Sequence, residues 1–141
     1  MEAVEQVVLV DEYDNETGTM EKQQAHITGS LHRAVSVFIF NSRNELLLQQ
    51  RAAGKYHSAL QWTNTCCSHP RPDEAATDAA HRRLKEEMGM TSRLQKAFAF
   101  VYYADLENGL TEHEYDHVFK GKSDAMPVLD EREAAFYVEK Q

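Results

Sequence analysis

CCSHPRPDEAATDAAHRRLKEEMGM, residues 66–90, is the stretch on which the reading of this chain turns. It sets Cys67 and His69 two residues apart, just ahead of a charged segment that closes on Glu86, Glu87 and Gly89. A helix is expected over Asp73–Met88, because Ala75, Ala76, Ala79, Ala80, Leu84 and Met88 recur at helical spacing. Pro72 precedes that run, and Gly89 suits the C-terminal cap. Carboxylates in the last turn oppose the helix dipole, which favours cations there. Glu86 and Glu87 therefore have either another task, such as holding a metal or a metal-bound phosphate, or partners in Arg82 and Arg83, each one turn earlier. Spacing alone leaves both readings open.

Outward from this helix, strands dominate. Val4–Val10 reads as a first strand and the polar DEYDNETG after it as a turn; Met20–Ala25 reads as a short helical or irregular piece. Leu31–Phe40 is rich in β-branched and aromatic residues, and Asn41–Asn44 makes a turn into a returning strand over Glu45–Gln50, a hairpin. Further strands are expected at Leu94–Tyr103 and Thr111–Lys120, either side of a turn at Asn108 and Gly109, and at Ala134–Val138. One long helix among many strands is an α+β or mixed α/β plan rather than a regular βαβ array.

The 141 residues suit a single domain spanning 1–141. No apolar run approaches a membrane span, and MEAVEQVV lacks a basic leader, so a cytoplasmic protein is expected. Cys66 and Cys67 are the only cysteines, and adjacent residues are no disulfide framework. A formal charge of −8 argues against nucleic acid or an anionic membrane as partner. A small anionic ligand needs only a local group of bases, for which Lys22, Arg51, Lys55, Arg82 and Arg83 are candidates.

The strand TEHEYDHVFK (111–120) alternates its faces, placing Glu112, Glu114 and Asp116 on one side and His113, Tyr115 and His117 on the other. Carboxylates so close repel unless a cation or proton neutralises them; an exposed, aggregation-resistant edge would explain them equally. His26, His32 and His69 add imidazoles suited to Zn²⁺, as the carboxylates are to Mn²⁺, though a lone histidine is more often structural. His57 and His81 have no such companions and read as surface residues. Cys67 is a candidate nucleophile or acid/base whose pKa a metal and a histidine would move, or else a small buried hydrophobe. Tyr102 offers a hydrogen bond or packing, and Trp62 a cover for an apolar substrate or part of the core.

Laid against the Nudix box, G-x5-E-x7-R-E-U-x-E-E-x-G-U, residues Glu74, Arg82, Leu84, Glu86, Glu87, Gly89 and Met90 match in register. Ser68 replaces the opening glycine, and Arg83 replaces the first glutamate of the R-E pair, one of the hydrolases' metal-binding residues. EKQQAH, LHRA, QWTNTCCSHP and TEHE, in this order, resemble type I isopentenyl-diphosphate delta-isomerase over nearly the whole chain.

That resemblance implies a Nudix-like β-sheet sandwich with one long helix. It implies metal-dependent conversion of isopentenyl diphosphate to dimethylallyl diphosphate through a tertiary carbocation, with Nudix-type diphosphate hydrolysis as the alternative. By position, His26, His32, His69, Glu112 and Glu114 match Zn²⁺ or Mn²⁺ ligands. Cys67 and Glu114 match the acid/base pair, with Tyr102 assisting. Glu87 matches the residue holding a Mg²⁺ on the substrate diphosphate, and Lys22, Arg51, Lys55 and Arg83 match diphosphate-contacting bases. A cation at 83 suits holding a diphosphate rather than cleaving it. The resembled family continues with a C-terminal helical segment and a cation-stabilising tryptophan. These 141 residues lack both, so the resemblance implies retained metal and diphosphate binding with weakened turnover.

Overall fold

A computed structural model describes residues 5–55, 58–130 and 134–140. His57 and Val4, expected respectively at the surface and in the first strand, lie outside the described residues. The described strands are β1 (Gln6–Val10), β2 (Glu16–Glu21), β3 (His32–Phe40), β4 (Leu46–Arg51), β5 (Trp62–Thr63), β6 (Cys66–Ser68), β7 (Gln95–Asp105), β8 (Thr111–Lys122) and β9 (Ala134–Lys140). Helix α1 (Lys22–Thr28) follows β2, and the long helix α2 (Ala76–Met88) follows β6.

All nine strands connect into one mixed sheet branched at β3. One edge of β3 is taken along its whole length by β8, in parallel, from His32↔Glu114 to Phe40↔Lys122. The other edge is shared in succession by β1 at His32, β6 at Val35–Val37 and β4 at Phe40. The expected β3–β4 hairpin forms only at its turn: beyond Phe40↔Leu46 the strands part, and the WTNTCC segment fills the opening. Thr65 bridges the gap, accepting from the Ile39 amide at 2.9 Å and donating to the Leu47 carbonyl at 2.6 Å. The turn expected over 11–18 is shorter than expected, because Glu16–Glu21 returns along β1 as β2.

Helix α2 starts at Ala76 rather than Asp73. Asp73 adopts φ 66° inside a turn closed by the Glu74 amide on the Arg71 carbonyl, a conformation incompatible with a right-handed helix. At the other end Gly89 takes φ 63° and its amide caps the Lys85 carbonyl at 3.0 Å. Ala79, Ala80, Leu84 and Met88 pack on Val35, Val37 and Ile39 from one face of β3, with Cys66, Leu47 and Phe119 completing the core. The opposite face of β3 carries Ser36 and Phe38 into a cavity. Among the described residues no helix is long and apolar enough to cross a membrane.

Candidate functional site

The strand registers bring the site together. Tyr102 lies opposite Glu114 across β7–β8, and Glu114 opposite His32 across β8–β3. Four residues further along, Phe98, Val118, Ser36 and Cys67 form a second row across β7, β8, β3 and β6. Between these rows lies a cavity of about 470 Å³, walled by Cys67, Glu112, Glu114, Asp116, Tyr102 and Arg51 among others. Trp62, Phe98 and Phe100 give it an aromatic side. Trp62 is thus a wall of the cavity, 45% exposed, and no part of the core.

His26, His32 and His69 converge so that one ligand atom from each lies within 4.8 Å of the others. His26 donates from Nδ1 to the Lys22 carbonyl at 2.8 Å, and His32 from Nδ1 to the Ser30 carbonyl at 2.9 Å. Each such bond fixes the tautomer and leaves Nε2 with its lone pair, the arrangement a metal-binding imidazole needs. His32 Nε2 is buried with no hydrogen bond, and Glu114 Oε2 stands 3.8 Å from it and 3.0 Å from His69 Nε2. Burial pushes His32 down to about 4, helped by His69, and pushes His69 down to about 3, helped by Lys22 and then His26, so both rings are neutral near pH 7.

The carboxyls move the opposite way. Burial and then the Glu114 charge raise Glu112 to about 7. Burial raises Asp116 to about 7, with Glu114 and Glu112 adding to it, and burial also raises Glu114 itself. Neutral imidazoles, one of them with an orphaned lone pair at His32 Nε2, beside carboxyls that burial raises, make a donor set that fits a divalent cation.

Cys67 faces the cavity while Cys66 lies in the core, as strand alternation requires. Burial pushes the Cys67 thiol up to about 12, aided by Asp116, Glu114 and Glu87. A thiol so raised keeps its proton at neutral pH, which suits a proton donor better than a thiolate nucleophile.

Glu87, on α2, is buried and accepts from Arg83 at 3.1 Å and from Gln49 at 3.4 Å. Arg82 bonds Glu86 at 2.7 Å and holds Glu74 with two hydrogen bonds, 2.8 and 2.9 Å. The i,i+4 ion pairs left open by spacing are therefore formed, yet only Glu87 is buried with its pair. Lys22 pairs with Glu5 at 2.7 Å, and Glu5 feels Arg83 and His69 as well, which places both cations beside the histidine cluster. Lys55 sits in the turn after β4 and does not line the cavity.

Of the other histidines, His81 is exposed on α2. His117 joins Asp14 at 2.9 Å on the face of β8 away from the cavity, where Arg33 also pairs with Asp14. Residues that sequence reasoning did not single out for the site are Ser36, Asn64 and Asp116. Ser36 donates to Asp116 at 2.6 Å, and Asn64 accepts from the Cys67 thiol at 2.8 Å. Asp116 was legible from alternation and Asn64 from its motif, whereas Ser36 had no signal.

A NUDIX domain model matches residues 30–139. The chain is 58% identical over 130 residues to isopentenyl-diphosphate Delta-isomerase 2 of Aromatoleum aromaticum, covering 92% of this chain and 69% of that protein. It is 56% identical to the isopentenyl-diphosphate Delta-isomerase of Pectobacterium atrosepticum, covering 94% of this chain and 74% of that one. Among solved structures, DR0079 of Deinococcus radiodurans superposes with a TM-score of 0.79 at 17% identity, covering 96% of this chain and 83% of that one. A MutT protein of Methanosarcina mazei gives a TM-score of 0.66 at 23% identity, covering 77% and 75%. At such identities these two are likenesses of fold.

Proposed function

The chain belongs to the NUDIX family and, within it, to the isopentenyl-diphosphate Delta-isomerases, and from that premise we propose how its own residues move the double bond. It is an enzyme that converts isopentenyl diphosphate to dimethylallyl diphosphate, not a diphosphate hydrolase. In our reading Cys67 gives its thiol proton to the terminal methylene carbon, leaving a tertiary cation. Glu114 takes a proton from the neighbouring methylene carbon on the other side, and the new double bond forms there. One proton enters and one leaves, so the diphosphate is an anchor whose binding energy positions the alkene.

The observation that carries this reading is one cavity walled by the Cys67 thiol, the Glu114 carboxyl and an aromatic side. Trp62, Phe98 and Phe100 suit a hydrocarbon and keep water from the cation. The Tyr102 hydroxyl is assigned to help Glu114, its register partner. His26, His32, His69, Glu112 and Glu114 would hold Zn²⁺ or Mn²⁺, which would keep Glu114 ionised and oriented. Glu87 would hold Mg²⁺ on the diphosphate, with Lys22, Arg51, Lys55 and Arg83 as its bases. A small-molecule diphosphate is the partner, without nucleic acid, and the setting is cytoplasmic.

The test is a proton NMR time course of isopentenyl diphosphate with Mg²⁺ and either Zn²⁺ or Mn²⁺, with phosphate release followed in parallel. Dimethylallyl diphosphate without phosphate is the expected result; phosphate as product would overturn it.

A further inference from the structure

The side chain of Asn64 is wired at every polar atom. Its amide nitrogen donates to the Val37 carbonyl at 2.9 Å and to the Cys66 carbonyl at 3.0 Å. Its amide oxygen accepts from the Thr63 hydroxyl at 3.0 Å and from the Cys67 thiol at 2.8 Å. Exchanging the amide's oxygen and nitrogen would turn the oxygen onto two carbonyl oxygens, so one orientation alone satisfies all four contacts. Around the same sulfur, the Ser36 and Thr63 hydroxyls stand off at 3.9 Å each. Among the described residues Asn64 therefore makes the shortest hydrogen bond to the thiol, and its two backbone bonds tie it to β3 and to β6, the strand that bears Cys67.

We propose that Asn64 is a positioning residue for the isomerisation: it fixes the rotamer of Cys67 and the direction of its S–H bond on the cavity wall. This rests on the assignment of Cys67 as proton donor. The consequence is specific. A thiol that is merely present but free to swing loses the alignment needed in the proton-transfer step, while the diphosphate anchor is untouched. Loss of aim thus appears in kcat, and loss of anchoring would appear in KM.

Two measurements test this on the whole protein loaded with Mg²⁺ and Mn²⁺. In the first, infrared S–H spectra of the wild type and Cys67→Ala are subtracted to isolate the Cys67 band. A band displaced to the low frequency of a hydrogen-bonded thiol is expected, moving to higher frequency in Asn64→Ala. A Cys67 band at the free-thiol position in the wild type overturns the proposal, even if the Asn64 variant does not fold.

In the second, Asn64→Ala is expected to lower kcat by roughly 10- to 100-fold, the scale of a misplaced reacting group, with KM changed less than about threefold and bound Mn²⁺ unchanged. Unchanged kcat, or a loss confined to KM, overturns the proposal. The two failures are separable: a fully active Cys67→Ala protein sinks the donor assignment itself, whereas an inactive Cys67→Ala beside a fully active Asn64→Ala sinks the role of Asn64 alone.

Discussion

Cys67 and Cys66 are neighbours of the same chemistry, and only their faces separate them: Cys66 is in the core against α2, while Cys67 opens to the cavity. Cys67→Ala is therefore expected to lower kcat by about 10²–10⁴-fold, the range for a positioned general acid, and Cys66→Ala to cost stability instead. The NMR time course and a melting curve on each variant separate the two, and equal losses of turnover would contradict the assignment. Tyr102→Phe removes one hydroxyl beside Glu114, and a loss of about tenfold is expected, the worth of one hydrogen bond of about 1.4 kcal/mol. At this scale the sequence is legible wherever the residue type is itself chemical. Cysteine, histidine and glutamate are candidates by type alone, while Ser36 and Asn64 are picked out only by whom they touch, and touching depends on registers that no local pattern encodes.

Helix α2 was readable because its apolar spacing and its terminal glycine agree, whereas its start was not, since the turn at Asp73 overrides the pattern. Gly89 is required twice over. Its φ of 63° disfavours a side chain, and an added Cβ would meet the Val128 carbonyl oxygen at 2.6 Å and Val128 Cβ at 2.7 Å. Gly89→Ala is expected to destabilise the protein by about 1–3 kcal/mol through strain at that backbone position. The shift would also disturb Glu87, whose carbonyl accepts from the Asp130 amide at 3.0 Å. A melting curve within a degree of the wild type would show that the 126–130 segment yields instead. The strands tell the complementary lesson. The strands β7 and β8, of 11 and 12 residues, are expected in outline, but β5 and β6 have two and three residues, too few for a period to register. The β3–β4 hairpin forms at its turn but stops at Phe40↔Leu46, because the tertiary insertion of WTNTCC parts the strands beyond it.

The whole molecule gathers buried carboxyls and imidazoles with opposed shifts, and its pH dependence follows from their directions. Unfolded, the carboxyls titrate near 4 and the histidines near 6.5; folded, Glu112 and Asp116 rise to about 7 and His32 and His69 fall to about 4 and 3. The raised carboxyls stabilise the fold at low pH, and that contribution is lost as pH rises from about 4 through 7. The depressed histidines do the reverse: their contribution is present above 6.5 and is lost as pH falls toward 4 and 3. Between about 4.5 and 6.5 the two slopes oppose each other, so metal-free stability should be nearly flat there and should fall as pH climbs through 7. A divalent cation held by Glu112, Glu114 and the histidines must expel whatever proton the carboxyls carry. For Glu112, titrating at about 7, that competition weakens binding roughly tenfold at pH 6 relative to pH 8. Titrating the metal-free protein with Mn²⁺ by calorimetry should therefore show tighter binding at pH 8, and proton uptake by the buffer at pH 6 that fades at pH 8. The same cation should raise the melting temperature more at pH 8 than at pH 6, since at saturation the gain is RT ln(1 + [L]/Kd). Affinity independent of pH across this window, with no proton released, would place the cation away from these carboxyls. His32→Gln distinguishes the remaining case: it removes the orphaned Nε2 donor without adding charge, and it should weaken Mn²⁺ binding at both pH values while leaving the proton count at pH 6 intact.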